Sequence, residues 1–418
     1  MAVSADDLAR ATRKLRQAPT DYGAWLEVAA LLEALGHRDD AEAAFAAIAE
    51  GARIDGRVAL AVACDRHLAA LGSLRAGELL DAIVETYANG GPRFSGKPDK
   101  REPPDIEASP TNVGRAAPPE AVRSRSTNAG GTALADARTV IAALGPWLAA
   151  REVEHVPPAP LLSALSPTNA RALVGVMTAR AFPAGAAIVQ AGAPADALYW
   201  LAHGTATVKR DKTPLGELHS GAFFGEIALV GGTTRTATVT ASDDVWLLEI
   251  PARAVETAAQ KHPQLAEVLA AHARARLLAN LTRTSELFKA LAPADRDALL
   301  AKFTSALVPA GTTFISEGAP NEFLWVVVAG KCHVTGGGSV VAELGAGAAV
   351  GEISLVSGDP AVADVVAVEP VVVLKLAKTD FDAIAKQHPE LLAAVKKLVV
   401  AREKENRALF QDATDLIV

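Results

Sequence analysis

The chain has 418 residues, half of them hydrophobic, and a formal net charge of -7. That length predicts about two to four domains. The acidic balance argues against a nucleic-acid binder that works through a broad basic surface. No stretch approaches the roughly 18 consecutive apolar residues of a membrane span, and the first residues lack the apolar core of a signal peptide. We therefore expect a cytoplasmic protein with neither nucleic-acid nor membrane partners.

Cysteine and histidine usage predicts neither a disulfide nor a metal site. The only two cysteines, Cys64 and Cys332, are far apart, and we expect both to be small buried residues in a reducing compartment. The nine histidines show no spacing with cysteines or carboxylates that is typical of metal ligands. The sequence also lacks a nucleophile elbow, a P-loop and a kinase signature, so we expect no catalysis and no cofactor.

Residues 1–88 have the pattern of packed helices. Ser4 and Asp7 form a capping-box pattern, and Thr20 or Asp21 can cap the next helix. The alternation of large and small apolar residues that follows resembles one tetratricopeptide-type helical hairpin, although a generic amphipathic bundle fits as well. In either case we expect this region to bind a protein partner. The residues of the pattern are Trp25, Ala29, Leu32, Gly36, Ala41, Phe45 and Ile48.

Residues 89–131 differ sharply from the helical region. They contain seven prolines mixed with glycine, serine and charged residues, which predicts a disordered linker. Within it, the basic and serine-rich tract 123–127 fits a phosphorylation site, a kinase pseudosubstrate or a plain solvated segment. A connecting segment, 132–156, follows, with a helix predicted over Ala133–Ala150.

The rest of the chain is an internal repeat with a spacing of 126 residues. The repeat indicates two copies of one domain, which we place at 157–282 and 283–418. The spacing is far too long for a solenoid, so each copy is expected to be a domain of its own. The repeated residues include Gly185 and Gly311, Gly192 and Gly318, Gly204 and Gly330, Gly221 and Gly347, Gly225 and Gly351, and Glu226 and Glu352.

Both copies have the same predicted order of elements. A short helix, Leu161–Thr178 or Glu286–Phe303, precedes several short β-branched runs separated by glycines, and this pattern predicts a small β-barrel or jelly roll. A long helix closes each copy, at about 253–281 with a break near Pro263 and again at about 378–409. The predicted fold class is therefore α+β and multidomain, with N-terminal helical hairpins followed by two β-barrel domains with flanking helices.

One segment of the first copy resembles the phosphate-binding cassette of the cyclic-nucleotide-binding domain family. It consists of Phe224 to Leu229 followed by Arg235 to Val239. In such a cassette a glycine lets the backbone approach the phosphate, and free N–H groups at a helix start point at its oxygens. These roles fall on Gly225, Ile227 and Ala228.

The charged residues of the cassette suit a cyclic phosphodiester on a ribose. The Glu226 carboxylate can accept a hydrogen bond from the ribose 2′-hydroxyl, and Arg235 can neutralise the phosphate. Taken singly, Glu226 is also explained as an exposed helix-start carboxylate and Arg235 as a surface arginine. Thr236 and Ala237 complete the predicted ligand-binding set, and a threonine at position 236 resembles the cGMP-selective pattern, although cAMP remains open.

The resemblance also implies a moving part. A hydrophobic residue of the cassette shifts with the phosphate, and the C-terminal helix then folds over the base. In this sequence the first role falls on Leu229, and the lid residues are predicted to be Leu277, Leu278 and Leu281.

The second copy keeps the glycine and glutamate of the cassette but loses its cation. Gly351 and Glu352 correspond to Gly225 and Glu226, whereas Ala361 stands at the position of Arg235. Asp364 adds a carboxylate, so this site should repel a phosphate. We expect a degenerate copy that keeps its fold and has lost the ligand.

Two hypotheses about function follow. The first is a receptor for cGMP or cAMP that acts on a protein partner through a conformational change. The second is a ligand-independent scaffold that uses both barrels and the N-terminal helices for protein binding, and a homodimer is left open. The layout resembles a kinase regulatory subunit, but no convincing inhibitor sequence occurs in the linker.

Overall fold

The structure is a computed structural model. It describes residues 3–90, 117–119, 132–150, 158–210, 213–226, 234–284 and 299–400, apart from 301, 388, 390, 391, 394 and 398. Most of the predicted linker, residues 227–233 of the cassette and most of the predicted helix Glu286–Phe303 lie outside these ranges. The chain divides into two compact units, one of residues 1–190, 196–229 and 237–272, and one of residues 191–195, 230–236 and 273–418.

The N-terminal region is a set of antiparallel helices. Its start is capped as predicted, since Asp7 N–H donates to the Ser4 hydroxyl and Ser4 N–H donates to the Asp7 carboxylate. Asp21, one of the two predicted caps, accepts from Gly23 N–H at 2.9 Å. The helices are α1 (Ala5–Gln17), α2 (Tyr22–Ala34), α3 (Arg38–Ile54), α4 (Val58–Ala70) and α5 (Arg75–Tyr87).

The apolar residues of the predicted hairpin form the core of this region. Trp25, Phe45 and Ile48 are fully buried, and Gly36 makes the turn with φ +83°. A sixth helix, α6 (Ala133–Ala149), packs against α1 and α3 and ends one residue before its predicted end. The assignment to the tetratricopeptide class stays a prediction.

The first copy is a jelly roll of two facing antiparallel sheets. One sheet has the order β1-β8-β3-β6 and the other β2-β7-β4-β5. Side chains from both sheets, among them Tyr199, Phe224 and Val239, meet in one interior cluster. The strands are β1 (Thr178–Phe182), β2 (Ala187–Val189), β3 (Ala197–His203), β4 (Thr205–Arg210), β5 (Thr213–His219), β6 (Phe223–Phe224), β7 (Thr238–Ala241) and β8 (Val245–Pro251).

Helices flank this jelly roll at both ends. The predicted helix Leu161–Thr178 is split into a 3₁₀ turn, Leu162–Ala164, and α7 (Pro167–Gly175), because Ser166 caps a new helix that starts at a proline. The closing helix breaks at Pro263 as predicted, which gives α8 (Ala252–Lys261) and α9 (Pro263–Thr284).

The second copy repeats the same sheets. Their orders are β9-β16-β11-β14 and β10-β15-β12-β13, and β9 and β16 begin 126 residues after β1 and β8. The predicted multidomain α+β fold with two β-barrel domains is therefore confirmed. The elements are β9 (Thr304–Val308), β10 (Thr313–Ile315), β11 (Phe323–Ala329), β12 (Cys332–Gly336), β13 (Ser339–Leu344), β14 (Ala349–Val350), α10 (Glu352–Ser357), β15 (Asp364–Ala367), β16 (Val371–Ala377) and α11 (Lys378–Gln387).

One pair of repeated glycines shows why glycine occurs at the same position in both copies. Gly204 and Gly330 have φ of +90° and +87°. A Cβ at Gly204 would lie 2.7 Å from the carbonyl oxygen of Asp244, and a Cβ at Gly330 would lie 2.7 Å from that of Pro370. Only glycine fits this turn in either copy, because a side chain meets both backbone strain and a backbone atom.

The helical region packs on the outer face of the first jelly roll. Helix α4 lies against β1, β3 and β8, and the helices share one hydrophobic core with Trp200 and Leu248 of the sheet. The Trp246 ring lies 5.5 Å from Phe45 and 5.3 Å from His67 between centroids. The helices therefore cover this face of the sheet and share its hydrophobic core.

Candidate functional site

The first half of the predicted cassette follows directly from strand β6. Phe223 and Phe224 pair with Trp200 and Tyr199 of β3, which fixes the point where the chain leaves the sheet. Gly225 then turns the chain with φ +80°. The next residue, Glu226, is only 5% exposed. The exposed-carboxylate explanation of Glu226 is therefore wrong.

The second half of the cassette is fixed by backbone hydrogen bonds. Arg235 N–H donates to the Ala193 carbonyl at 2.8 Å, and Gly192 N–H donates to the Arg235 carbonyl at 2.8 Å. The Arg235 side chain is 6% exposed, which excludes a surface arginine. Burying an ionised side chain is costly unless partners compensate, so buried charges often mark functional positions. Thr236 and Ala237 lead from Arg235 into β7.

The equivalent backbone of the second copy is the same. Ala361 N–H donates to the Ala319 carbonyl at 2.9 Å, and Gly318 N–H donates to the Ala361 carbonyl at 2.8 Å. Ala361 packs into the interior cluster of the barrel and is 7% exposed. The fold has thus kept the strand path while the guanidinium has been replaced by a methyl group.

Residues 179–262 and 307–388 each match the family of cyclic nucleotide-binding domains. The chain carries two such domains in tandem. The first and second copies are therefore the first and second cyclic nucleotide-binding domains, and the family resemblance predicted from the cassette is confirmed.

Relatives with these domains belong to several kinds of protein. A cyclic nucleotide-gated potassium channel of Mesorhizobium japonicum is 36% identical over 118 residues, which cover 28% of this chain and 33% of that protein. A cAMP-dependent protein kinase regulatory subunit of Aspergillus fumigatus is 41% identical over 88 residues, or 21% of each chain. The regulatory domain of Toxoplasma gondii PKA, crystallised with cAMP, is 19% identical with a TM-score of 0.29, covering 59% of this chain and 92% of that one. The chain spans about a third and about a fifth of the two curated relatives.

The second domain contains the other predicted site residues. Gly351 has φ +82°, and Glu352 begins α10 with 1% of its surface exposed. The Asp364 carboxylate accepts a hydrogen bond from Glu317 N–H at 2.7 Å, so it has a structural partner in the turn beside β10. This domain keeps a buried glutamate at the start of α10, and Ala361 stands where the first domain has Arg235.

The predicted backbone donors Ile227 and Ala228 and the predicted hinge and lid residues are only partly described. Ile227, Ala228 and Leu229 lie outside the described residues. Helix α9 contains Leu277, Leu278 and Leu281, whose side chains are likewise outside the described set. Their roles remain predictions.

His272 of α9 is a residue that sequence reasoning missed. Its ring meets Phe223 of β6 edge-on, with centroids 4.6 Å apart, and Phe223 stacks on Trp200 at 4.8 Å. The imidazole is 7% exposed, and this burial lowers the pKa of His272 to about 4. His272 lies three residues after the buried Leu269, and residues three apart share one face of a helix. This spacing could have predicted that His272 is on the buried face of α9.

The remaining expectations concern metals, membranes and thiols. Within the described ranges, no group of histidine, cysteine and acidic residues could hold a metal ion. No helix in the described part of the chain is long and apolar enough to cross a membrane. Cys64 and Cys332 are free and buried, as expected, and burial raises the pKa of both thiols, that of Cys332 to about 11.

Proposed function

We propose that the first domain is the receptor site for a cyclic nucleotide and that the second domain binds none. The observation that carries this proposal is a difference between the two domains. Arg235 is buried, with 6% of its surface exposed, and the second domain has a buried alanine, Ala361, at the same backbone position. A buried guanidinium offers charge-assisted hydrogen bonds that suit an anion such as a cyclic phosphodiester, whereas a methyl group offers none.

The roles of the remaining residues follow from the chemistry of the ligand. Arg235 presents a planar fork of N–H donors to the phosphate, and Gly225 lets the backbone approach it. Glu226 accepts a hydrogen bond from the ribose 2′-hydroxyl. Ile227 and Ala228 contribute backbone N–H groups. We assign cGMP over cAMP as the first ligand to test, since the hydroxyl of Thr236 can hydrogen-bond to guanine.

The binding event is proposed to act through α9. Phosphate binding draws in the cassette with Leu229, and α9 then closes over the base with Leu277, Leu278 and Leu281. The ligand can shift the equilibrium towards the closed state only by as much as it binds that state more tightly than the open one. The protein is then a regulator without catalysis of its own, which acts in the cytoplasm on a protein partner bound to the N-terminal helices.

A ligand-independent scaffold is the second candidate. Ala361 favours it, because one domain of this chain keeps the fold without the phosphate cation. In that case both barrels and the helices bind proteins, either a different partner or a second copy of the chain.

Calorimetric titration of the full chain with cAMP and with cGMP separates the two candidates. We expect micromolar or tighter binding of one nucleotide at a single site per chain, which Arg235→Ala abolishes or weakens by one to two orders of magnitude, about 1.5–3 kcal/mol. The matched control is Arg180→Ala, because Arg180 is 54% exposed and pairs with Glu249 at 3.5 Å. No heat from a folded sample with either nucleotide would favour the scaffold.

A further inference from the structure

The cassette helix of the second domain is held at both ends by side chains. The side-chain amide of Asn321 donates to the carbonyl oxygen of Gly351 at 3.2 Å, just before α10 begins. The ammonium of Lys378 donates to the carbonyl oxygen of Leu355 at 2.7 Å, in the last turn of α10. Carbonyls at the end of a helix lack intrahelical partners, so Lys378 satisfies a group that would otherwise need water.

Both side chains are particular to the second domain. The positions 126 residues earlier, at the same points before β3 and at the start of α8, are Ala195 and Ala252. Alanine has no side-chain donor, so neither bond can be made from these two positions of the first domain. The domain that lost its phosphate cation is thus the one that gained two donors to the cassette backbone.

Several hydrogen bonds fix the position of the Asn321 side chain. Its amide also donates to the carbonyl of Phe323 at 2.7 Å, and its oxygen accepts from the Trp325 indole at 3.3 Å. A Cβ at Gly351 would overlap the Asn321 amide nitrogen and lie 2.7 Å from the Phe323 carbonyl oxygen. Asn321 therefore lies directly against the cassette with all of its groups engaged.

Lys378 stands where a cation is otherwise unfavourable. It is the first residue of α11, and the positive end of a helix dipole disfavours a lysine there. Its ion pair with Asp382, at 3.5 Å, joins side chains that are 39% and 48% exposed, and such a pair contributes little. The short bond to Leu355 is the interaction that accounts for lysine at this position.

We propose that Asn321 and Lys378 form a built-in lock that holds the second domain's cassette in one conformation without a nucleotide. In the first domain, this role would fall to a bound phosphate. In the second, an amide and an ammonium bind the cassette backbone permanently. The second domain then does not respond to nucleotide, and any response of the chain arises in the first domain.

Hydrogen exchange of the full chain tests the lock without any ligand. Leu355 N–H donates to the Gly351 carbonyl and Gly358 N–H to the Ser354 carbonyl, so the amides at 355 and 358 report on α10. We expect Asn321→Ala and Lys378→Ala each to speed their exchange by about tenfold, since each removes a bond to a helix end. Lys378→Arg keeps a donor and should restore most of the protection.

The matched control is Lys331→Ala, because Lys331 pairs with Glu343 at the surface of the same domain, with both side chains more than half exposed. It should leave exchange at 355 and 358 unchanged, and the peptides of β11 and β16 should stay protected in every variant. Wild-type exchange rates in both alanine variants would overturn the lock. Exchange in Lys378→Arg as fast as in Lys378→Ala would overturn the role of the lysine.

A second experiment tests the expectation that the second domain does not respond to nucleotides. Addition of cAMP or cGMP to the Arg235→Ala chain, in which the first site is disabled, should leave exchange at 355 and 358 unchanged. Slower exchange there would overturn the proposal, because it would show that a nucleotide orders this cassette. Because the first experiment contains no nucleotide, failure of the first domain to bind leaves the test of the lock intact.

Discussion

The imidazole of His272 meets the ring of Phe223 edge-on, with the ring centroids 4.6 Å apart. Phe223 belongs to the strand that leads into Gly225 and Glu226, and His272 belongs to the helix that carries the predicted lid residues. This contact is thus a direct packing link between the start of the cassette and the closing helix of the first domain.

The burial of His272 predicts a pH-dependent stability. Its folded pKa of about 4 lies below the ordinary value of 6.5, so the unfolded chain binds the extra proton first as the pH falls. The stabilisation is present above pH 6.5 and is lost between pH 6.5 and about 4, by at most about 3 kcal/mol. Thermal unfolding midpoints at pH 7.5 and 5 should therefore differ less in His272→Leu than in the wild type. The exposed His219 supplies the control, and an equal pH effect in His272→Leu and His219→Leu would contradict the prediction.

Two glycines inside helices should respond oppositely to alanine. A Cβ at Gly51 of α3 would overlap Leu148 and lie 2.9 Å from the Tyr22 hydroxyl, whereas one at Gly77 of α5 meets nothing within 4 Å. Gly51→Ala should lower the free energy of unfolding by about 1–3 kcal/mol through overpacking. Gly77→Ala should raise it by about 0.5–1 kcal/mol, because alanine loses less backbone entropy on folding. Chemical denaturation measures both, and a stabilising Gly51→Ala would show that α6 can move away.

The N-terminal helices should unfold together with the first domain. Phe45 is fully buried and lies 5.5 Å from Trp246, and Trp200 and Leu248 share the same core. Phe45→Ala should therefore lower the stability of the barrel as well as that of the helices, by about 3–5 kcal/mol. Hydrogen exchange of β3 and β8 measures this directly. Faster exchange confined to α3 and its neighbours would indicate an independently folding arm.

The side chain of Thr236 should set the base preference if the first domain binds as proposed. Thr236→Ala removes one hydroxyl next to Arg235 and should shift the ratio of cGMP to cAMP affinity towards cAMP by about three- to tenfold, the value of one neutral hydrogen bond. Competition binding with both nucleotides gives the ratio. Thr236→Ser retains the hydroxyl and is the control. A ratio that stays the same in Thr236→Ala would assign base selection to other residues.

The repeat and the helix caps could be predicted from the sequence, because both depend on local chemistry. Glycine at 204 and 330 is required by φ and by a close backbone approach, and serine with aspartate at 4 and 7 satisfies free N–H groups at a helix start. The alanine at position 361 in place of an arginine was also visible, because the 126-residue spacing aligns Ala361 with Arg235.

Other relationships were decided only by the tertiary structure. Periodicity predicts which face of a helix is buried, but hydrophobic burial is non-directional, so the sequence could not show that Phe45 meets Trp246 or that His272 meets Phe223. The bonds from Asn321 and Lys378 end on backbone carbonyls, which every residue possesses and no sequence pattern marks. The sequence by itself determined the two domains and the difference between their cassettes, and the fold decided what each buried or bonded side chain touches.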